Sequence, residues 1–116
     1  MANYLFYPTA DKTQDGIWVY GCDEWGEKQA EKYIRGLHAH LQELADKQIF
    51  CLKLPDRLVI PTDLTMNAYF SKYGVHYVFF RELSAGNIGV MSILHERSDI
   101  PVHLKKDIVR IRDKEL

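Results

Sequence analysis

The side chains best suited to chemistry fall in two groups in the C-terminal half. His95, Glu96, Arg97, Ser98 and Asp99 stand in an unbroken row directly after an apolar run, and His76 and Arg81 lie in the run before it. Imidazole, carboxylate and guanidinium groups are the material of proton transfer and of anion stabilisation. The same row would also serve as a surface that grips a partner, or as the solvated end of a hairpin. The second group is "HLKKDIVRIRDK" (103–114), where Lys105, Lys106, Arg110 and Arg112 concentrate positive charge. Cys22 and Cys51 have neither CxxC spacing nor a second pair, which excludes a zinc framework and a disulfide scaffold and predicts two buried free thiols in a reducing cytoplasm.

These residues need a scaffold, and the chain is long enough to supply one. Its 116 residues, 47% apolar and 27% charged, suit one domain (1–116) with an ordinary core. No apolar run approaches the ~20 residues that span a bilayer, and "MANYLFYPTADK" lacks the basic and apolar regions of a signal peptide, so no membrane partner is expected. Net charge is −1, with 7 Lys/Arg against 10 Asp/Glu in residues 1–64 and 8 against 6 in residues 65–116. That balance disfavours a nucleic-acid grip over the whole surface and leaves room for one local basic patch. No metal site and no cofactor is expected.

Aromatic and apolar "NYLFY" (3–7) reads as a strand stopped by Pro8. Thr9 is placed to N-cap a helix whose inward face is Ala10, Thr13, Ile17 and Tyr20, ended by Gly21. Asp23 then caps a second helix, 24–46, with Ala30, Tyr33, Ile34, Leu37, Leu41 and Leu44 at three- and four-residue spacing. Pro55 and Pro61 forbid a long helix in 47–66, read as a loop with at most a short extended piece. "NAYFSKY" (67–73), "VHYVFFREL" (75–83) and "IGVMSILHE" (88–96) are strands joined at Gly74 and at "SAGN" (84–87). The order is β-α-α-β-β-β. The fold class is α+β: an N-terminal strand joins an antiparallel three-stranded meander, and a helical hairpin packs on one face. With Leu83 opposite Ile88, cross-strand partners bring His95 beside His76 and set Arg81 in an otherwise apolar row; a bulge would flip part of that assignment.

Ala10, Asp15 and Tyr20, then "WGEKQAEKYIRGLHAHLQELA" (25–45), "YVFFREL" (77–83) and "ILHERSDIP" (93–101), follow one another in an order that resembles the ParE/RelE toxin superfamily, the toxin halves of bacterial type II toxin–antitoxin modules and plasmid stabilisation proteins. The resemblance runs from residue 4 to about 104. It implies a toxin neutralised by a cognate antitoxin. The favoured ParE branch inhibits DNA gyrase by trapping it on cleaved DNA, without catalysis of its own; the RelE branch cleaves mRNA on the ribosome. An inactive toxin fold acting as a co-repressor with its antitoxin is a third possibility.

Cleaving RNA through its own 2′-OH needs a base, cations on the phosphate and an acid for the leaving oxygen. The RelE reading would assign Arg81, Arg97 and His103 to these tasks. The C-terminal tyrosine usual in that branch is missing, and "TMNAYFSKY" contributes only Lys72, so phosphate neutralisation would be poor. The ParE reading instead uses the tail: Lys105, Lys106, Arg110 and Arg112 contact the target, with a solvated amphipathic segment packed by Leu104, Ile108 and Ile111 as the plainer alternative. Trp18, Trp25, Tyr33 and Arg81 are the candidate antitoxin contacts. Trp18 and Trp25 are expected exposed, Tyr20 and Tyr33 inward, and an apolar patch without antitoxin would favour self-association, such as a homodimer. His95 and Asp99 are expected to be structural, the ring bonding nearby backbone and the carboxylate bracing the turn before Pro101.

Overall fold

The computed structural model describes residues 3–47, 51–53 and 68–111. The chain enters as strand β1 (Tyr4–Phe6) and turns at once into helix α1 (Pro8–Trp25). Thr9 is not the cap. Tyr7, extended at φ −70° and ψ 152°, precedes the helix, and Pro8 occupies its first turn. Proline disfavours helical geometry in the residue before it and brings a helical φ of its own, so the helix starts on the proline rather than after it.

Gly21 does not end α1 either. It is buried, and a β-carbon there would come within 3.0 Å of that of Ala30. The residue lets α1 approach helix α2 (Glu27–Ala45) closely, and the turn between them is Gly26 alone, at φ +91°. The inward row of α1 is consequently Ala10, Gln14, Ile17 and Gly21. Tyr20 falls to one side of it and is 60% exposed, against the expectation of an inward ring. On α2 the apolar stripe is as the spacing predicts, with Ala30, Leu37, Leu41 and Leu44 buried. A buried leucine of this kind contributes about 1.5–3 kcal/mol over an exposed one.

A short strand β2 (Leu52–Lys53) pairs with β3 (Ala68–Tyr73), followed by β4 (His76–Glu82) and β5 (Ile88–His95). The sheet order is β1-β5-β4-β3-β2, antiparallel except that β1 runs parallel to β5. The connection between these two parallel strands runs through the α1–α2 hairpin and then back across the sheet by way of β2, β3 and β4. In the β4–β5 hairpin His76, Tyr77, Val78 and Phe79 face His95, Leu94, Ile93 and Ser92, the predicted register. A bulge between Phe79 and Phe80 then shifts it, so that Phe80, Arg81 and Glu82 face Val90, Gly89 and Ile88.

The bulge divides the core. Val78, Phe80, Ile88, Val90 and Ile93 pack under the helical hairpin with Leu37, Leu41 and Leu44. Phe79 and Met91 face the other way, onto Leu104, Ile108 and Ile111. Those three belong to helix α3 (Ile100–Arg110) and its C-cap, so the tail is a helix that covers the second face of the sheet. Asp99 is its N-cap, accepting a hydrogen bond from Val102 N at 3.4 Å, and Pro101 lies in its first turn. Cys22, in the last turns of α1, and Cys51, just before the edge strand β2, are free and half-buried rather than buried.

Candidate functional site

Three sets of residues compete for a functional role, and the fold places them differently. Arg81 lies one residue from the end of β4, opposite Ala68 and Gly89. It is half-buried, and its Nε has no hydrogen-bond partner among the described residues. Arg97 follows the other end of the sheet, two residues past the His76–His95 pair. Five residues of strand, about 16 Å, separate Arg81 from His76. Arg97 and His103, in the first turn of α3, sit at that far end. The three residues of the RNA-cleavage reading therefore do not converge on one phosphate.

The second set is the outer face of α3. Leu104, Ile108 and Ile111 are fully buried, while His103, Lys105, Lys106 and Arg110 are exposed. His103, Lys106 and Arg110 follow at three- and four-residue spacing, so they form one stripe. The only carboxylate within α3, Asp107, turns inward and accepts a 2.6 Å hydrogen bond from the hydroxyl of fully buried Ser92. That bond ties the helix to β5 and leaves the outward face without acid from α3 itself. Arg112 lies outside the described residues.

The third set is at the His76–His95 end of the sheet. A line of rings runs Tyr20, Trp25, Tyr33, His76, His95, with successive centroids 6.1, 6.0, 5.6 and 5.4 Å apart. Trp25 is 47% exposed and Trp18 half-buried. Tyr33 is half-buried as well, its hydroxyl plugging the β3–β4 turn. It donates to Tyr73 O at 3.1 Å, accepts from Val75 N at 3.2 Å and meets His76 Nδ1 at 2.7 Å. The turn needs Gly74, at φ +56°, because a β-carbon there would stand 2.6 Å from the Tyr33 hydroxyl. His95 Nδ1 accepts from Arg97 N at 3.0 Å, Ser98 bonds back to His95 O, and Glu96 pairs with Lys72 at 2.6 Å. The row His95–Asp99 thus closes the end of the sheet and aims α3.

Electrostatics at this end oppose acid–base work near neutral pH. Burial, with the neighbouring His95 second and Glu96 opposing, lowers the His76 pKa to about 4. Burial is also the main cause that raises the Tyr33 phenol. A base that weak and an acid weaker than ordinary tyrosine are both mistuned for proton transfer at pH 7. Around them lies a cleft of about 520 Å³ between α1 and the sheet end. Its lining comes from residues 13–25, 75–76 and 93–95, and no local pattern in the sequence joins these segments.

A strand, a helical hairpin and an antiparallel meander, carrying a basic helix in place of a converged catalytic set, are matched over residues 4–100 by the family model described as the ParE toxin of the type II toxin–antitoxin system, parDE. The chain belongs to the ParE toxin family. Among its relatives are proteins named Toxin ParE1 from Mycobacterium tuberculosis strains CDC 1551 / Oshkosh and H37Rv. Each is 33% identical over 104 residues, covering 89% of this chain and 98% of the relative. A solved structure titled as the chromosomal ParDE TA system from P. aeruginosa shares the fold, with a TM-score of 0.59 and 14% identity over 82% of this chain and 95% of that one. Among the described residues of this ParE-family chain no helix is long and apolar enough to cross a membrane.

Proposed function

We propose that this ParE-family chain is the toxin of a type II module that inhibits DNA gyrase by binding, and that a cognate antitoxin neutralises it. The observation that carries this reading is the contrast between two sets of cations. Arg81 is held apart from Arg97 and His103 by the length of the sheet, whereas Lys105, Lys106 and Arg110 share the solvent face of one helix. A poison acting by contact needs a presented surface. A nuclease needs its base, acid and phosphate ligands within hydrogen-bond reach of one bond. The α3 face would meet acidic gyrase surface or the DNA that gyrase holds, with Arg112, next but one in sequence after Arg110, as a further contact of that kind. The exposed rings Tyr20 and Trp25, with Tyr33 beside them and the half-buried Trp18 elsewhere on α1, are the antitoxin's anchors on the opposite layer, since aromatic side chains bury large area at small entropic cost.

The test is purified toxin with gyrase and plasmid DNA. Supercoiling should fall and cleaved DNA accumulate, and added antitoxin should reverse both. Unaffected gyrase, together with transcripts severed on translating ribosomes, would transfer the assignment to a RelE-type nuclease.

A further inference from the structure

The cleft at the His76–His95 end has a polarity that its hydrogen bonds fix. Tyr33 has one hydroxyl proton, and Tyr73 O can only accept, so the Tyr33–Tyr73 bond takes that proton. Val75 N can only donate, and it donates to the Tyr33 oxygen. The remaining 2.7 Å contact, with His76 Nδ1, takes its direction from the tautomer, and all three bonds to the Tyr33 oxygen are made together when His76 carries its proton on Nδ1 and donates it. His76 Nε2 is therefore a lone-pair acceptor. The reverse holds for His95. Its Nδ1 accepts from Arg97 N, so in the neutral ring the proton is on Nε2, which is a donor.

Both rings line the cleft, and neither Nε2 has a hydrogen-bond partner among the described residues. His76 is 8% exposed, and Arg81 Nε alone among the described residues is a fully buried side-chain atom without a partner, so the unused His76 Nε2 still meets solvent on the lining of the cleft. Ile17, Ile93, Tyr20 and Trp25 make the surrounding walls apolar or aromatic. At about 520 Å³ the space lies within the range of small-molecule sites, which are apolar chambers with a few placed polar groups. We propose that this cleft is a binding site for a small, uncharged, largely apolar molecule carrying a hydrogen-bond donor beside an acceptor, as in an aromatic carboxamide or a lactam. The ligand's N–H donates to His76 Nε2 and its carbonyl accepts from His95 Nε2–H. A carboxylate would set a negative oxygen against the His76 lone pair. A metal ion would need both nitrogens as acceptors, which only one of them is. The low pKa of His76 keeps that ring neutral at physiological pH. The site is separate from the basic face of α3 and does not depend on how the toxin acts on its target, but it shares Tyr20 and Trp25 with the proposed antitoxin anchors, so antitoxin and ligand would compete for it.

The experiment titrates the ¹⁵N-labelled full chain with 1-naphthamide, methyl 1-naphthoate, 1-naphthoate and Zn²⁺, following the Trp25 indole and Val75 amide resonances. Naphthamide should bind saturably. The ester keeps the carbonyl but lacks the N–H, and it should bind about tenfold more weakly, the cost of covering the His76 acceptor without pairing it. His76→Phe should bring amide and ester to equal affinity, and this ratio is unaffected by any general loosening of the fold. Should His76→Phe not fold, the surface variant His95→Phe weakens amide and ester alike, by about five- to tenfold. Equal affinities of the wild-type chain for amide, ester and naphthoate would overturn the proposal by reducing the cleft to an apolar groove. So would saturable Zn²⁺ binding through the His pair, or no binding of naphthamide.

Discussion

His76 should make the fold acid-sensitive in a defined window. The perturbation is a fall in pH from 7 to 5. In the native state His76 is packed against Tyr33 of α2 and Tyr73 of β3, faces His95 on β5, and has Glu96 and its partner Lys72 near the rim. Its pKa is lowered from the usual 6.5 to about 4. The unfolded chain therefore binds a proton between those values and the folded chain does not. Stability from this group is complete above about pH 6.5, declines as pH falls, and levels off below about 4. Linkage between these two pKa values gives a loss of about 2 kcal/mol between pH 7 and pH 5. His38 and His40 are also lowered by burial and add losses of the same sign. The measurement must therefore be a difference. Urea unfolding of the wild type and of His76→Gln, which can still hydrogen-bond Tyr33 but does not titrate, should be followed at both pH values. The wild type should lose about 2 kcal/mol more than the variant, a midpoint difference of roughly 1 M urea. Losses matching within about 0.5 kcal/mol would refute the placement of His76 as a buried neutral ring.

Three further outcomes follow from particular contacts. Gly36→Ala would drive a β-carbon to 2.8 Å from Tyr73 Cζ and closer still to its hydroxyl; thermal unfolding should register about 1–3 kcal/mol of destabilisation. Asp107→Ala leaves the fully buried Ser92 hydroxyl without its acceptor and should cost about 1–3 kcal/mol, most of it recovered by adding Ser92→Ala, a coupling that chemical denaturation of the double mutant reads directly. Lys106→Glu with Arg110→Glu should weaken gyrase inhibition at least about tenfold with the melting temperature unchanged, while Arg81→Ala leaves inhibition intact; the opposite ranking would place the target contact on the sheet.

The strands and the α2 stripe were legible because each is a local pattern with one period. Leu37, Leu41 and Leu44 sit where three- and four-residue spacing puts them, and the order of elements followed from such runs. Glycines were harder, since one residue type serves opposite ends. Gly21 allows two helices to touch, while Gly26, with its positive φ, turns the chain. Reading Gly21 as a terminator ended α1 early and turned Tyr20 inward. The helical state of the tail had a signal that its charge obscured. Asp99 followed by Pro101, then Leu104, Ile108 and Ile111, is a capped start and an apolar stripe. The cleft had none, because its walls come from three segments whose meeting is a property of the tertiary fold alone.

The bulge at Phe79 and Phe80 decides which apolar residues meet α3, a helix that is part of the fold as well as a carrier of charge. Without it, Ile88 and Val90 would share a face with Phe79, and Met91 would lie with Val78, Phe80 and Ile93 on the other. With it, both turn under the hairpin beside Phe80 while Met91 fills the side of Phe79, so β5 is buried along Ile88–Ile93 on both faces. A strand buried on both faces needs two covers, and α3 is the second. Cutting the chain at residue 105 would consequently remove more than cations. It would strip Ile108 and Ile111 from Phe79 and Met91, at about 2–5 kcal/mol for each large side chain lost, a large part of the stability of a chain this size. Loss of toxicity on truncation would then report unfolding. Charge reversal at Lys106 and Arg110, whose side chains leave the core untouched, separates the helix as cover from the helix as contact surface.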